Sequence, residues 1–388
     1  MKVTQVYQLL NSVTSEILGQ TDLVKEDLSN VVDLGVAIFD ATSVDKYVKT
    51  LVDHIGKVIF VNREYAGSAP SVLMDGWEFG AVLEKIQADL PEATENESWE
   101  LEDGQSYDPN IFYKPVVSAK FYQKKVTFEV PMSFTEMQVK GSFSSAEQLN
   151  SFLSMLYNAV DKSMTVKLDA LIMRTINAMT GEVIHAEYGA TSLSSTSTTK
   201  AINLLYLYNN GPNSGGTALT ADDAMTDPEF IRFAVREMNI TKARLSKIST
   251  LFNVGGKARF TPSDMLKTVM LADFKESADV YLQSDTFHDE YTRLVPADLV
   301  PYWQGPGDDN FDLDDISAIN ITTPSGDDVA ATGILCVMFD RDALGVANMN
   351  RRTTSNYNPK AEFYNNWFKM DAGYFADLDE NYVVFFVA

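Results

Sequence analysis

The stretch Ser144–Gly181, SSAEQLNSFLSMLYNAVDKSMTVKLDALIMRTINAMTG, decides how this chain folds. It contains no glycine or proline before its last residue. Leu149, Phe152, Leu153, Leu156, Val160, Met164, Leu168, Leu171, Ile172, Ile176 and Met179 recur at the three-and-four spacing of a single buried helical stripe. Ser144 and Glu147 have the spacing of a capping box, in which each side chain meets an orphan N–H of the first turn. Gly181 suits the position just past a helix, where left-handed backbone costs glycine nothing. At 1.5 Å per residue the helix predicted over 144–180 spans roughly 50 Å. Few compact enzymes need a strut of that length, whereas subunits that build shells do.

Upstream of the strut, residues 1–56 read as segmented helix. Val3, Val6, Tyr7, Leu10, Val13 and Ile17 mark a first helix ending at Gly19, with further stripes over 23–38 and 43–55. Residues 57–135 read as strands: Lys57–Val61, an ambiguous run over Gly80–Gln87, and a β-branched, aromatic run over Val116–Val130. Strands joined through a long polar tip form an extended hairpin, which is marginal in water without a neighbour. Downstream, Ile202–Tyr208 reads as a strand. Asp227-Pro228 and Thr261-Pro262 each read as a helix start. Ile316–Thr322, Ile334–Asp340, Tyr357–Phe368 and Asn381–Phe386 complete the ordered segments. Helices and strands mix without a βαβ rhythm, so the class is α+β.

The net charge is -23 and the lone cysteine is Cys336. Such a charge argues against a free-standing nucleic-acid binder, which needs a basic face, but not against a container that holds nucleic acid without gripping it. One cysteine excludes an intrachain disulfide and fits a reducing compartment. No apolar run approaches the roughly 18 residues of a membrane span, and the opening residues lack a signal-peptide core. Charge is segregated along the chain. Residues 89–108 carry eight acids and no base, and residues 239–260 carry five bases and no acid. Two solvated surfaces are the plain reading; electrostatic complementarity between neighbouring copies is the functional one.

Catalytic signatures do not assemble. His54, His185 and His288 lie far apart, without metal-ligand spacing. Cys336 sits in an apolar strand, where a buried inert thiol is expected. Gly255-Gly-Lys257 lacks the rest of a phosphate loop and reads as a turn. Asp308, Asn310 and Asp312 imitate a calcium loop, but Leu313 replaces its glycine and Ile319 its bidentate glutamate. No catalytic residue, cofactor or metal is expected, and the chain is not expected to be an enzyme.

The order of parts, an apolar-striped arm, a long two-stranded loop, a long helix, a mixed region and a returning tail, resembles the major capsid proteins of tailed bacteriophages, the Hong Kong 97 fold. The wording of several stretches carries the resemblance: Asn62–Tyr65, Pro91–Trp99, Ile111–Pro115, the long helix, Asp285–His288 and Ala372–Val384. Together they look most like capsid proteins of phages of Gram-positive hosts. The resemblance implies an N-terminal arm over 1–56 and an E-loop with flanking strands over 57–136. It implies a peripheral domain over 137–181 and 345–388, with the helix as its spine, and an axial domain over 182–344. The implied function is self-assembly into hexamers and pentamers that form the icosahedral or prolate head and enclose double-stranded DNA. An encapsulin-like nanocompartment shell is the alternative. The resemblance further implies a portal, decoration proteins, assembly in the host cytoplasm and, because the arm is short, a separate scaffolding protein. Within that scheme Glu95, Glu97, Glu100, Glu102 and Asp103 at the acidic tip are expected to meet Lys242, Arg244 and Lys247 of an adjacent copy.

Overall fold

The computed structural model describes residues 3–18, 24–25, 29–30, 50, 68–74, 83–91, 93, 95, 103–104, 110–135, 137–138, 146–189, 193, 196–283, 294–305 and 311–388. In chain order the elements are α1 (Val3–Leu18), β1 (Leu73–Met74), β2 (Leu83–Ala88), β3 (Val117–Tyr122), β4 (Lys125–Thr135), α2 (Ala146–Tyr188), β5 (Ala201–Asn203), α3 (Leu204–Asn209), α4 (Ala221–Ala224), α5 (Pro228–Leu245), β6 (Leu266–Leu271), α6 (Ala272–Gln283), β7 (Asp298–Val300), α7 (Leu313–Ile316), β8 (Ile319–Thr322), β9 (Asp328–Ala331), β10 (Ile334–Asp340), β11 (Leu344–Asn358), β12 (Phe363–Ala376) and β13 (Tyr382–Phe386). They fall into two units. One comprises Met1–Glu78, Lys124–Met173 and Val346–Gly373, the other Phe79–Gln123, Arg174–Gly345 and Tyr374–Ala388.

The first unit sets a helix on a sheet of order β1-β11-β12-β4. β4 and β12 run antiparallel from Phe363↔Thr135 to Gly373↔Lys125. Along β4 the side chains alternate, and Phe134 lies buried, edge-on to Phe152 of α2 at 5.9 Å. Pro131 can occupy β4 because β4 is the sheet's edge, where a missing N–H breaks no ladder bond on the open side. The stripe Leu153, Leu156, Val160, Met164 and Leu168 is buried as its spacing requires. In α1, Leu10, Val13 and Thr14 are buried.

The second unit is built on the sheet β5-β13-β10-β6-β7. β10 and β13 are buried along their whole length, which explains their near-continuous apolar sequences. Residues 174–188 of α2 belong here, and Thr175–Ile184 is buried apart from half-buried Ala178. Several of its polar groups find partners across the packing. Asn177 donates to the Trp303 carbonyl at 2.7 Å, Thr180 shares a 2.8 Å bond with the Tyr382 hydroxyl, and Glu182 accepts from the Ser325 N–H at 2.7 Å. Such pairing is what permits polar atoms at this depth.

Several expectations are revised. The helix does not stop at Gly181 but continues to Tyr188, giving 43 residues. Val183 and Ile184 continue the buried stripe, and Gly189 (φ 59°) ends it, donating to the His185 carbonyl at 2.8 Å. Gly181 serves close packing instead: a Cβ there would lie 3.1 Å from Thr323 Cγ2 and 3.3 Å from Ile321 Cγ2 of the β8–β9 hairpin. The run 116–130 is two strands, β3 and β4, in different units. The strand predicted over 202–208 yields after Asn203, whose side chain accepts from the Tyr206 N–H at 3.0 Å and caps α3. Thr261-Pro262 opens only a turn before β6, because Thr261 donates to buried Asp340 at 2.8 Å. The helix from Asp227 ends at Leu245, short of Thr250. The capping box at Ser144, the helices over 23–38 and 43–55 and the strand 57–61 lie outside the described residues.

Candidate assembly surfaces

β2 and β3 form an antiparallel ribbon from Leu83↔Tyr122 to Ala88↔Val117. Its register places Lys85 directly opposite Lys120. Like charges so placed repel. The turn after β12 resolves the conflict: Asp377, its side chain fully buried, takes Lys85 on Oδ2 at 2.7 Å and Lys120 on Oδ1 at 2.6 Å. Glu380 binds Lys85 at 2.8 Å and Gln87 at 2.5 Å, and Asp379 binds Lys120 at 2.6 Å. Farther along, Asp89 pairs with Lys257 at 2.9 Å and Arg259 donates to Gln87 at 2.7 Å. Tyr122 packs its ring 5.2 Å from Phe375. Burial alone would raise the Asp377 pKa, but the hydrogen bonds from Lys120 and Lys85 hold its carboxyl below the usual range. Burial alone would lower the Lys120 pKa, but its bonds to Asp377 and Asp379 hold it above its ordinary value.

The polarity of this ribbon is therefore inverted. Lys85, Gln87 and Lys120 face inward, so the alternate residues point to solvent. Ile86 is 64% exposed and Phe121 60%, with Val116, Val117 and Leu90 also exposed. Beyond them Phe112 is 85% and Tyr113 80% exposed. Apart from exposed Glu84, opposite Phe121, the outward residues of the ribbon are apolar, which a chain that stayed alone would rarely present.

A second surface lies at the end of α5. Asp227 caps the helix by accepting from the Phe230 N–H at 2.7 Å, with Pro228 following as expected. Lys242 and Arg244 occupy its last turn, where cations offset unpaired carbonyls. The chain then loops from Ser246 and closes through paired Ser249–Arg259 backbone bonds of 2.9 and 3.0 Å. Ile240, Ile248, Leu251 and Phe252 line a groove of about 500 Å³, with Arg244 and Lys247 on its rim.

Of the residues predicted to make intersubunit contacts, Glu95, Asp103, Arg244 and Lys247 are exposed and Lys242 is half-buried. Glu97, Glu100 and Glu102 lie outside the described residues. Among the described residues the acidic and basic stretches meet in the Asp89–Lys257 pair within one chain, so part of the charge segregation is satisfied inside the subunit. The inverted ribbon escaped sequence reading because a period-two pattern shows alternation but not which face is inward. Cys336 is buried in β10, and burial pushes its thiol pKa up. His185 lies 3.2 Å from Asp327, while His54 and His288 fall outside the described residues. So do Asp308 and Asn310 of the calcium-like run; Asp312 stands at the start of α7. No described helix is long and apolar enough to cross a membrane.

Comparison with known proteins places these surfaces in context. The major capsid protein of Bacillus phage GA-1 is 21% identical over 169 residues, 42% of this chain and 34% of that protein, so the match spans about a third of the relative. The capsid structure of Staphylococcus phage Andhra shares the fold, with a TM-score of 0.52 at 12% identity, over 84% of this chain and 86% of that one. The encapsulin alternative is not favoured by these likenesses. The sequence profile of the Phi29-like phage major capsid proteins matches residues 10–386, and the chain belongs to that family.

Proposed function

We propose that this chain is the shell subunit of a tailed-phage head. Copies associate as hexamers and pentamers, close an icosahedral or prolate shell, and enclose double-stranded DNA without reading its sequence. The observation that carries this reading is the inverted β2–β3 ribbon. Its polar face is consumed inside the subunit, and its other face, with Ile86 and Phe121, is left exposed by the described residues. A second copy covers that face, and closed symmetry turns one such contact into a shell. In this scheme residues 1–56 are the arm, 57–136 the E-loop region, 137–181 and 345–388 the peripheral domain, and 182–344 the axial domain. The role is structural and not catalytic. Assembly takes place in the host cytoplasm with a scaffolding protein, a portal and decoration proteins.

The test is cryo-EM of native particles with assay of their nucleic-acid content. Closed shells of this chain containing DNA are expected. Shells filled with protein cargo, or native particles whose shell lacks this chain, would overturn the reading.

A further inference from the structure

We infer that the groove at the end of α5 seats the segment Asn110–Tyr113 of a second copy, with Glu95 and Asp103 of that copy set against the groove's basic rim. The inference rests on the shell reading and states which two surfaces meet.

The groove has two kinds of wall. Ile240, Ile248, Leu251 and Phe252 supply its apolar lining, and exposed Arg244 and Lys247 its charged lining. Its volume of about 500 Å³ falls within the roughly 300–1,000 Å³ of sites that bury an apolar ligand. Among the five bases of residues 239–260, Lys257 and Arg259 are engaged with Asp89, Gln87 and Glu380 of the same chain. Lys242, Arg244 and Lys247 form no ion pair among the described residues. The groove therefore offers an apolar lining and positive charge that the described residues leave without an ion pair, on a subunit whose net charge is -23. Its occupant should combine apolar anchors with acids.

One stretch of this chain has that chemistry. Ile111, Phe112 and Tyr113 are consecutive, exposed and outside any helix or strand. They follow the stretch of eight acids and no base over 89–108. The high exposure of Phe112 and Tyr113 means that they do not fill the groove of their own chain. A strand of DNA would use the charged lining but not the apolar one, and the chain's overall charge opposes it. Aromatic anchors buried in a pocket with charged pairs at the rim are the usual division of labour in a specific interface, anchors giving affinity and charges giving register.

The test uses the full chain. Phe112→Cys and Leu251→Cys are made separately, mixed, assembled and treated with a short bis-maleimide. Cys336 is buried and remains silent. Expected is a cross-linked dimer on denaturing gels from the mixture and none from either variant alone. Electron microscopy of the same samples separates the two levels of inference. Shells without cross-linked dimer overturn the groove contact and leave the shell reading standing; absence of shells from the unmodified chain assembled together with its scaffolding protein overturns the shell reading itself. Charge reversal gives a second measurement at exposed positions, with folding checked by circular dichroism. Arg244→Glu with Lys247→Glu, and Glu95→Lys with Asp103→Lys, should each reduce shell yield roughly tenfold, and combining them in one chain should restore it. Normal yield from either reversal overturns the contact, as does normal yield with loss of packaged DNA, which would assign the rim to the genome.

Discussion

Asp377 is one carboxylate doing the work of two. Lys85 and Lys120 face each other across the ribbon, and Asp377 gives one oxygen to each. Asp377→Ala leaves the two lysines opposed and should cost about 2–3 kcal/mol locally. Amide exchange in β2 and β3 should speed up while β10 and β13 stay protected; unchanged ribbon exchange would show that the clasp is dispensable. The pH dependence follows from the signs. Asp377 has its pKa lowered in the fold, so its contribution is present above the unfolded value near 3.9 and fades as pH falls through the lower folded value. Lys120 has its pKa raised, so its contribution is complete below about 10.4 and fades only as pH rises through the higher folded value. Ribbon protection should therefore be flat from about pH 5 to 9 and decline below about pH 4. Loosening near pH 6 would assign control to another group. The two helix glycines should also behave differently. Gly181→Leu drives side-chain atoms into Thr323 and Ile321 and should cost about 1–3 kcal/mol. Gly189→Ala forces alanine to positive φ and should cost about 1–2 kcal/mol, confined to the helix end. Thermal unfolding of the two variants checks both.

At the scale of the element, α2 changes character along its length. Its 43 residues make a rod of about 65 Å. Over 153–168 it buries one stripe and leaves Met155 and Val166 exposed, whereas over 175–184 only Ala178 is not fully buried. Leu168→Asp would place an unpaired charge at a fully buried position, costing several kcal/mol. Insoluble or unassembled protein is expected. Val166→Asp, two residues away on the exposed face, should be tolerated. Soluble, shell-forming Leu168→Asp would contradict the stripe, and sedimentation of the two variants side by side decides.

The whole molecule carries a net charge of -23, so copies repel one another unless local pairs intervene. Salt acts on both. It screens the overall repulsion, and it weakens exposed pairs that are each worth about 0–1 kcal/mol. Assembly followed by light scattering should therefore pass through an optimum in salt, and a monotonic rise would remove rim pairs from the assembly energetics. The arm belongs to this scale too. Deleting residues 1–40 removes α1 and its buried Leu10 and Val13. A subunit that cannot close shells is expected, and normal-sized particles in sedimentation would show the arm to be dispensable.

By itself the sequence determined the mixed class, the existence and buried face of the long helix, the start of α5 at Asp227-Pro228, and the apolar strands β10 and β13. Each of these is carried by local spacing or by a side chain acting on its own backbone, and such information lies within a dozen residues. The tertiary structure decided where signals compete. Gly181 looks like a stop until the β8–β9 hairpin is packed against it, and Thr261 looks like a cap until buried Asp340 takes its hydroxyl. Asn203 ends a strand-like run because its side chain binds the Tyr206 N–H. The ribbon's orientation is the clearest case. Alternation in β2 and β3 is visible in the residues, but the turn 377–380, more than 250 residues beyond them, supplies the acids that draw the lysine face inward and leave the apolar face outside. Which face of a strand is buried is set by what lies opposite it, and for this ribbon that partner is remote in the chain.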